Sequence, residues 1–316
     1  MNILSIIIVN FNVGKYLDRC LHSVFNSDSS LEFEVIVIDN ASTDDSLVIV
    51  PEEYPRVHLI KNEKNVGFAT ACNQGIRKAK GTTLLLLNPD TELQPDTLKE
   101  IQKFLLETSD AGVVGCKLLD REGKVQQSAR SFPTLGDYLF HNLYLMRLFP
   151  TNKLFGRYYL TNRQLEHPEE VDMVIGAFFM IRRELLDQIG LLDEQFFIYA
   201  EEREFCMRAK AAGWKVYYNP LVSATHIGGI SARQQAPEMF IEQCRSTLLL
   251  HQKHDVPFTV GYVRGSLIIG VIIRYLMWSI GSIVKPSKDS YKKQRVYAVA
   301  ARWLLMQRKR VMPRLP

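Results

Sequence analysis

Polar side chains end three apolar segments of this chain. Asn10 closes the segment IIIVN, Asp39 closes VIVID, and Asn88 and Asp90 follow LLLL. Segments that are apolar throughout are typical of strands buried on both faces, as in a parallel sheet. Because open parallel sheets bind ligands beyond the carboxyl ends of their strands, these side chains should share one edge. The pattern predicts a site for a polar ligand that a metal ion bridges.

Further candidates for binding or proton transfer lie outside these strand ends. Asn65 and Asn73 belong to a glycine-containing turn and the helix predicted after it, where backbone and helix N-terminus suit an anion; the alternative is a plain turn and a helix with an amide face. Glu201 and Glu202 begin another predicted helix, where the helix dipole alone would favour acidic residues. His226, within THIGG, is either a metal or phosphate contact or a structural histidine.

The elements that must position these residues alternate along the first 118 residues. Strands are predicted at residues 3–9, 34–39, 57–61, 83–87 and 112–118, and helices at 14–25, 67–80 and 95–108. This alternation predicts right-handed βαβ units and therefore an α/β fold with a doubly wound sheet.

The pattern weakens after residue 119. Long connections are expected in residues 119–170, and a strand or strand pair at 171–181. Helices are predicted at 183–189, 201–212 and 237–254, and a strand at 215–218.

Composition limits the class of protein. A chain of 316 residues suffices for one large or two small domains. Its five cysteines are scattered without a CxxC pair, which argues against a zinc ribbon or a disulfide framework and fits a reducing compartment. No secretory signal is expected, because a strand begins almost at once without a preceding basic segment.

The C-terminal part combines an apolar segment with basic charge. Residues 265–284 are interrupted by one charge, Arg274, and residues 285–316 hold ten Lys or Arg against one acid, Asp289. Such a helix would be about 30 Å long, enough to cross a bilayer, but a central arginine costs about 2.5–3.5 kcal/mol. We therefore expect a helix in the membrane interface, or a hairpin or dimer with Arg274 reaching the headgroups; a single span is the alternative. Residues 291–310 are predicted to form a basic amphipathic surface helix, and a helical dimerisation arm with a solvated basic face is the alternative. The neighbouring basic cluster favours an anionic membrane surface over nucleic acid.

Several segments together resemble a known family, in the family's order. They are SIIIVNFN with LDRCLHSV, VIVIDNASTDDS, NVGFATACNQGI, LLLLNPDTEL, and GAFFMIRRELLDQIGLLDEQFFIYAEEREFCMRAKAAGWKV. The chain resembles family 2 glycosyltransferases of the GT-A fold, and most of all the rhamnosyltransferase-like group that builds bacterial surface polysaccharides. The resemblance implies an α/β, Rossmann-like, mixed but mostly parallel sheet flanked by helices, with a C-terminal helical membrane-associating extension. It divides the chain into a nucleotide-sugar-binding half at residues 1–118, an acceptor-binding half at 119–235 and the C-terminal region at 236–316.

The resemblance also implies roles for the candidate residues. Asp39 would accept a hydrogen bond from a pyrimidine base, and Asp90, with His226, would bind the Mg²⁺ or Mn²⁺ that bridges the donor diphosphate. Glu202 would be the general base, with Glu201 as the second choice. The remaining nucleotide-sugar contacts would come from amide side chains: Asn10, Asn65, Asn73 and Asn88.

Two positions depart from the family's pattern. Asn88 replaces the first Asp of the DxD motif, although relatives in this group share the NPD form, and Glu202 stands where Asp is usual. These departures keep a second interpretation open, a catalytically retired sugar-nucleotide-binding or scaffold protein of the same fold.

The reaction implied by the resemblance is inverting transfer of rhamnose or a similar hexose. The donor would be a UDP- or dTDP-linked sugar, and the acceptor a saccharide or a polyprenyl-linked sugar. The enzyme would be cytoplasmic, attached peripherally to the inner face of the cell membrane or by a single span, and a homodimer is compatible with this. A nucleotidyltransferase would carry a glycine-rich basic loop after its first strand, and a Rossmann dehydrogenase a GxGxxG segment, and neither fits.

Overall fold

The predicted polar strand ends belong to a nine-stranded sheet. The computed structural model describes residues 3–27, 30–228, 236–284 and 286–306. Its strands are β1 (Leu4–Asn10), β2 (Phe33–Asp39), β3 (His58–Lys61), β4 (Thr83–Leu87), β5 (Thr91–Leu93), β6 (Ala111–Leu119), β7 (Ala129–Arg130), β8 (Glu169–Val171), β9 (Met173–Val174), β10 (Phe178–Arg182) and β11 (Lys215–His226).

The helices described are mostly short until the C-terminal part of the chain. They are α1 (Gly14–Phe25), α2 (Ser46–Glu53), α3 (Phe68–Lys78), α4 (Thr97–Glu107), α5 (Leu135–Asn142), α6 (Leu145–Leu148), α7 (Arg183–Ile189), α8 (Glu201–Ala211), α9 (Ala236–His254), α10 (Pro257–Val284) and α11 (Lys288–Met306).

The sheet is mixed but mostly parallel, as predicted. Its order is β3-β2-β1-β4-β10-β6-β11-β5, with β8 pairing β11. Strands β3, β2, β1 and β4 run parallel. Strand β10 is antiparallel to both β4 and β6, so β6 shares the direction of β4, and β11 is parallel to β6. The carboxyl ends of the parallel strands therefore meet at one edge.

Burial explains why the first strands form. Every residue of β1 is buried, as are the last five of β2 and all of β4, so both faces of these strands are covered. Helix α1 covers one face with an apolar stripe at helical spacing: Leu17, Cys20, Leu21 and Val24.

The structure corrects several predicted boundaries. Helix α2 and strand β5 were not predicted, and the segment expected to hold long connections contains β7, α5, α6 and the start of β8. The strand predicted at residues 215–218 continues to His226. Helix α11 begins at Lys288, and the predicted amphipathic helix extended to residue 310, which lies outside the described residues.

Two compact units make up the described chain. The first comprises residues to 132, 163–197 and 201–231, and contains the sheet. The second comprises 133–162, 198–200 and the residues from 232, and contains α5, α6, α9, α10 and α11. Its apolar core is formed by Ile241, Cys244, Leu248, Val263, Val271, Ala300 and Leu304.

Helix α10 is long and apolar enough to cross a membrane by length and composition alone. A single helix of this kind is weak evidence for a span, because core helices of soluble proteins pass the same test. The expectation that Arg274 reaches outward to headgroups is wrong for this structure. Arg274 is buried inside the second unit, where Asn142 accepts its hydrogen bond.

All five cysteines are free and buried. Burial is the main cause that raises the pKa of each thiol above its ordinary value. No disulfide framework holds this fold, as the scattered spacing predicted.

Candidate functional site

The ends of β1 and β2 carry a buried polar network. Asn10 lies beside Asp39 in the parallel register, and its amide donates to Asp39 Oδ1 at 2.9 Å. The same amide nitrogen lies 3.0 Å from Ser42 Oγ and 2.9 Å from Ser46 Oγ, and the Ser42 backbone N–H donates to Asp39 Oδ2 at 2.9 Å. Ala41 has φ +67°, which is costly for a residue with a Cβ. Asp39 therefore holds this turn in shape, and its contact with a base stays a prediction.

Asn40, which was not predicted as a site residue, joins this turn to the loop before α3. Its Nδ2 donates to Asn65 Oδ1 at 2.9 Å, and its Oδ1 accepts the Val66 N–H at 3.0 Å. Asn65 Oδ1 also accepts the Gly67 N–H at 3.0 Å. The structure thus places Asn65 against the end of β2. The sequence signal that could have found Asn40 is its position directly after Asp39.

Gly67 allows this loop to pack closely against another loop of the same unit. Its φ is +90°, and a Cβ there would lie 2.5 Å from Phe197 Cδ2 and 2.7 Å from the Phe197 carbonyl oxygen. The next residue, Phe68, donates its N–H to that same carbonyl at 2.5 Å. A side chain at position 67 is therefore excluded by both backbone conformation and space.

Asn73 contacts the loop that follows α7. Its Nδ2 donates to the Leu192 carbonyl at 2.8 Å and to Glu194 Oε1 at 3.0 Å, and its Oδ1 accepts the Leu192 N–H at 3.1 Å. Hydrogen bonds from Asn73 and Arg77 lower the pKa of Glu194. Asn73 therefore ties α3 to the loop after α7, and a nucleotide contact by its amide stays a prediction.

Asp90 and His226 meet at the same edge of the sheet. Strand β11 pairs antiparallel with β5 so that His226 lies opposite Thr91, next to Asp90. His226 Nε2 is 3.4 Å from Asp90 Oδ1 and 3.4 Å from Asn88 Nδ2. Asp90 Oδ2 accepts the Gly228 N–H at 3.0 Å, which fixes the carboxylate. The predicted pair of Asp90 and His226 is thus brought together, with Asn88 beside it.

Gln126, which was not predicted, determines which nitrogen of His226 carries the proton. Its Nε2 donates to the His226 carbonyl at 2.6 Å, so its Oε1 faces His226 Nδ1 at 2.8 Å. An amide oxygen only accepts, so Nδ1 must donate, and the neutral imidazole then has its lone pair on Nε2. No sequence signal marked Gln126, which lies 100 positions from His226.

Two acceptors consequently face each other across a short gap. Asp90 Oδ1 and the Nε2 lone pair of a neutral His226 need a proton or a cation between them. Carboxylate oxygen and imidazole nitrogen are both ligands for Mn²⁺ or Mg²⁺. Within the described ranges, no three His, Cys, Asp or Glu side chains cluster to hold a metal ion. The pair fits a cation that receives further ligands from a bound diphosphate.

The start of α8 holds two acidic side chains with unsatisfied oxygens. Glu201 is buried, and the Oε2 atoms of both Glu201 and Glu202 are buried without a hydrogen-bond partner. Burial, and next the charge of Glu202, raise the pKa of Glu201 well above its ordinary value. Tyr199 and Ala200, just before the helix, have φ +69° and +68°. Buried carboxylate oxygens without a hydrogen-bond partner, next to residues with unfavourable backbone angles, are unusual where a helix start has only a structural role.

Arg208 pairs with neither of these two residues. Its Nε donates to both oxygens of Glu204 at 2.9 Å, and its other nitrogens donate to the carbonyls of Ile189 and Leu191. Arg208 therefore pairs with Glu204 among the acidic residues at the start of α8. Glu201 and Glu202 are therefore left without that cation.

The edge as a whole is built by neighbouring strands. Strand β4 lies beside β1, with Leu87 opposite Ile8, so Asn88 and Asn10 leave the sheet at nearly the same level. Amides, carboxylates and one imidazole thus converge beyond the carboxyl ends of β1, β2 and β4. Such an edge can bind a polar, anionic ligand through hydrogen bonds and a cation.

Comparisons with known proteins show what this chain is similar to. The sequence model described as glycosyl transferase family 2 matches residues 5–190. A curated relative from Mycobacterium tuberculosis, N-acetylglucosaminyl-diphospho-decaprenol L-rhamnosyltransferase, is 27% identical over 237 residues, 71% of this chain and 76% of the relative.

Solved structures share the fold. The mannosyltransferase PcManGT from Pyrobaculum calidifontis, in complex with GDP-Man and Mn²⁺, has a TM-score of 0.57 and 16% identity, covering 96% of this chain and 87% of that chain. Residues 1–349 of S. aureus TarS in complex with UDP give a TM-score of 0.52 and 21% identity, covering 91% and 76%.

Proposed function

Because the chain belongs to glycosyl transferase family 2, we propose that it moves rhamnose or a similar hexose from a UDP- or dTDP-linked donor to a saccharide or polyprenyl-linked acceptor. The family and the names of its relatives make it a nucleotide-sugar-dependent glycosyltransferase. Relatives named for rhamnosyl transfer, poly(ribitol-phosphate) N-acetylglucosaminyl transfer and teichuronic acid biosynthesis support a role in cell-surface polysaccharide synthesis.

The facing acceptors of Asp90 and His226 carry this proposal. We assign them to one Mg²⁺ or Mn²⁺, with Asn88 beside them, and the Mn²⁺ in the PcManGT complex supports a divalent ion. When bound, the ion supplies positive charge to the diphosphate that leaves the sugar. Gln126 keeps the His226 lone pair turned to the ion, as partners of ligating histidines commonly do.

The nucleotide half of the donor belongs to the ends of β1 and β2. We assign Asp39, Asn10, Asn65 and Asn73 to the nucleotide sugar, with Asp39 closest to the base. The UDP in the TarS complex supports a uridine or thymidine donor. The rigid turn from Asp39 to Ser42 places these groups before the ligand arrives, which lowers the entropic cost of binding.

Residues at the start of α8 would carry out the proton transfer. We assign Glu202 as the general base that takes the proton from the acceptor hydroxyl, with Glu201 as the second choice. Burial raises the pKa of Glu201 well above its ordinary value, and its side chain is the more deeply buried of the two, which favours Glu202 as the base. Attack on the anomeric carbon from the side opposite the diphosphate inverts its configuration.

The three segments of the chain would share this work. Residues 1–118 would bind the nucleotide sugar, residues 119–235 the acceptor, and residues 236–316 the membrane, as a monomer or a homodimer. The exposed face of α10 is aliphatic and the following residues are basic, which supports an anionic membrane surface at the inner face of the cell membrane.

Binding and hydrolysis of the donor test the site directly. We expect UDP- or dTDP-sugars to raise the melting temperature only when Mn²⁺ or Mg²⁺ is present. At a ligand concentration one hundred times the Kd, the free energy of unfolding should rise by about 2.7 kcal/mol. Asp90→Ala should abolish this shift and metal-dependent donor hydrolysis, and Gln126→Leu should weaken metal binding about 10-fold to 100-fold. The matched control is Asp187→Ala, at an exposed carboxylate of α7. Equal shifts and hydrolysis in Asp90→Ala and the control would refute the assignment, and a wild-type protein that binds donor without hydrolysis or transfer would be a retired site.

A further inference from the structure

Arg274 is a buried cation that the proposed reaction does not use. It lies on α10 with 9% of its surface exposed. Its Nη1 donates to Asn142 Oδ1 at 3.2 Å, and its guanidinium lies 4.8 Å from the centre of the Tyr144 ring. A guanidinium has five N–H donors and is always charged, so Asn142 and a ring face satisfy only part of it.

The acidic residues of the second unit offer Arg274 no partner. The unit has five, and Glu238 is exposed. The other four each have a basic partner: Asp137 with Arg157, Glu242 with Arg245, Asp255 with His251, and Asp289 with Lys293. A buried charge without a counter-ion is strongly unfavourable. The acidic residues of this unit therefore do not balance Arg274, which leaves its charge available to an anion from outside the unit.

The side chains around Arg274 are fixed by hydrogen bonds and close packing. Asn142 is itself held, because its Nδ2 donates to the Tyr138 carbonyl at 2.8 Å and to Ser266 Oγ at 3.1 Å. Its Oδ1 is thereby fixed toward the guanidinium. A Cβ at Gly270 would overlap the Asn142 side chain, so glycine at that position permits α10 to approach this closely. The remaining N–H groups of Arg274 are thus positioned before any anion binds.

Helix α10 buries polar side chains together with apolar ones and leaves an aliphatic face exposed. Its buried positions are Val263, Ser266, Gly270, Val271, Arg274 and Ser282. Its exposed face is an aliphatic stripe, made of Ile269, Ile272, Leu276, Ile280 and Ile283. Soluble helices bury the apolar face, whereas helices in contact with lipid turn polar groups inward. An anion that reaches Arg274 from this environment would be carried on a lipid.

We propose that Arg274, held by Asn142, binds the phosphate groups of a lipid, and that this lipid is the polyprenyl diphosphate that carries the acceptor. The inference rests on the proposed function for the identity of the carrier. A diphosphate offers several oxygens to the planar guanidinium fork, and the isoprenoid chain covers the aliphatic stripe. The M. tuberculosis relative, whose name contains a diphospho-decaprenol, supports a carrier of this chemistry.

Vesicle binding by the full chain tests the proposal. Vesicles of phosphatidylcholine are compared alone, with phosphatidylglycerol, and with polyprenyl diphosphate at equal added charge. We expect polyprenyl diphosphate to strengthen binding at least about 10-fold more than phosphatidylglycerol does, because its diphosphate can accept several charge-assisted hydrogen bonds from the guanidinium. Arg274→Gln should lose this gain, and Arg274→Lys should keep only part of it. Arg295→Gln removes one exposed charge from α11 and should keep the gain.

Each other outcome overturns the proposal. An equal gain with phosphatidylglycerol would make Arg274 an ordinary headgroup site, and an equal gain in wild type and Arg274→Gln would make it an internal structural contact. If Arg274→Gln does not fold, the wild-type comparison and Arg274→Lys still decide. Mn²⁺-dependent donor hydrolysis is measured on the same samples. Intact hydrolysis without a preference for polyprenyl diphosphate defeats this proposal alone, whereas absent hydrolysis defeats the proposed function.

Discussion

At the scale of single residues, the site depends on where protons are held. Gln126 puts the proton of His226 on Nδ1, and burial raises the pKa of Glu201. The first effect leaves His226 Nε2 as an acceptor, and the second makes Glu201 more ready to keep its proton. A side chain that never touches the substrate can thus decide which atom reacts.

The raised pKa of Glu201 predicts how stability varies with pH. A carboxyl group whose pKa is higher in the folded state stabilises the protein fully below its unfolded pKa, and this contribution is lost as pH rises toward the folded pKa. Glu201→Gln mimics the protonated acid. It should therefore match wild type near pH 4 and be more stable at pH 8, with the curves separating by up to about 1.4 kcal/mol per pH unit. Denaturant unfolding at several pH values measures this.

Two further variants serve as the control and as the test of the proposed general base. Glu184→Gln, at an exposed residue of α7, should follow the wild-type curve. Glu202→Gln should instead lower transfer by about 10²-fold to 10⁴-fold with little loss of donor binding. Parallel pH curves for wild type and Glu201→Gln would show that Glu201 is ionised in the folded protein.

At the scale of elements, the loop between β3 and α3 is fixed by close packing. Gly67 has a φ of +90° and Gly213 one of +89°, but only Gly67 has atoms where a Cβ would be. Gly67→Ala should destabilise the protein by about 2–4 kcal/mol, through backbone strain and overlap with Phe197. Gly213→Ala carries the backbone cost alone, about 1–2 kcal/mol. Urea unfolding of both variants separates the two causes, and equal losses would contradict the role of Phe197.

The regular elements were predictable from sequence because their patterns are local. Strands β1, β2 and β4 are continuous apolar segments, and α1 has an apolar stripe at helical spacing. Helix α2 was missed because Pro51 lies inside it, and β5 because it has three residues. Strand β11 was predicted to end at residue 218, shortly before Pro220, but it continues to His226 through an irregular register between Asn219 and Ser223.

The residues of the candidate site also fall into those that the sequence indicated and those that it did not. Asp39, Asn88 and Asp90 were found because they end apolar segments, and the family pattern added His226. Gln126 acts through a contact with a residue distant in the sequence, and nothing in its own neighbourhood indicates this. Asn40 also contacts a distant residue, and only its position directly after Asp39 marks it. The burial of Arg274 was missed for the same reason, since Asn142 lies 132 positions away.

At the scale of the whole molecule, charge and exposed apolar surface are both concentrated toward the C-terminus. Residues 285–316 carry ten basic residues and one acid, a charge of +9, which leaves −4 for the first 284 because the chain totals +5. The aliphatic stripe of α10 precedes this basic segment directly. Hydrocarbon contact and electrostatic attraction would therefore act on the same end of the chain.

The stripe predicts the strength of membrane attachment. Replacing Ile272 and Ile280 together by serine should weaken partition into anionic vesicles by about 3 kcal/mol, roughly 100-fold, since each buried isoleucine contributes about 1.5 kcal/mol or more. Leu221→Ser, at an exposed leucine of β11, is the matched control and should partition like wild type. Cosedimentation with vesicles measures the effect. Unchanged partition of the double variant would leave the stripe without a role in lipid binding.

The sealed thiols have a practical consequence for locating this protein in a bilayer. Thiolates attack maleimides, and here every native cysteine is buried with a thiol pKa raised above its ordinary value. A cysteine introduced at Ile280, one turn beyond Leu276 on the stripe, would then be the position that a spin label modifies. The native cysteines would not have to be replaced first. Collisions of that label with oxygen or with a water-soluble nickel chelate would read immersion depth directly.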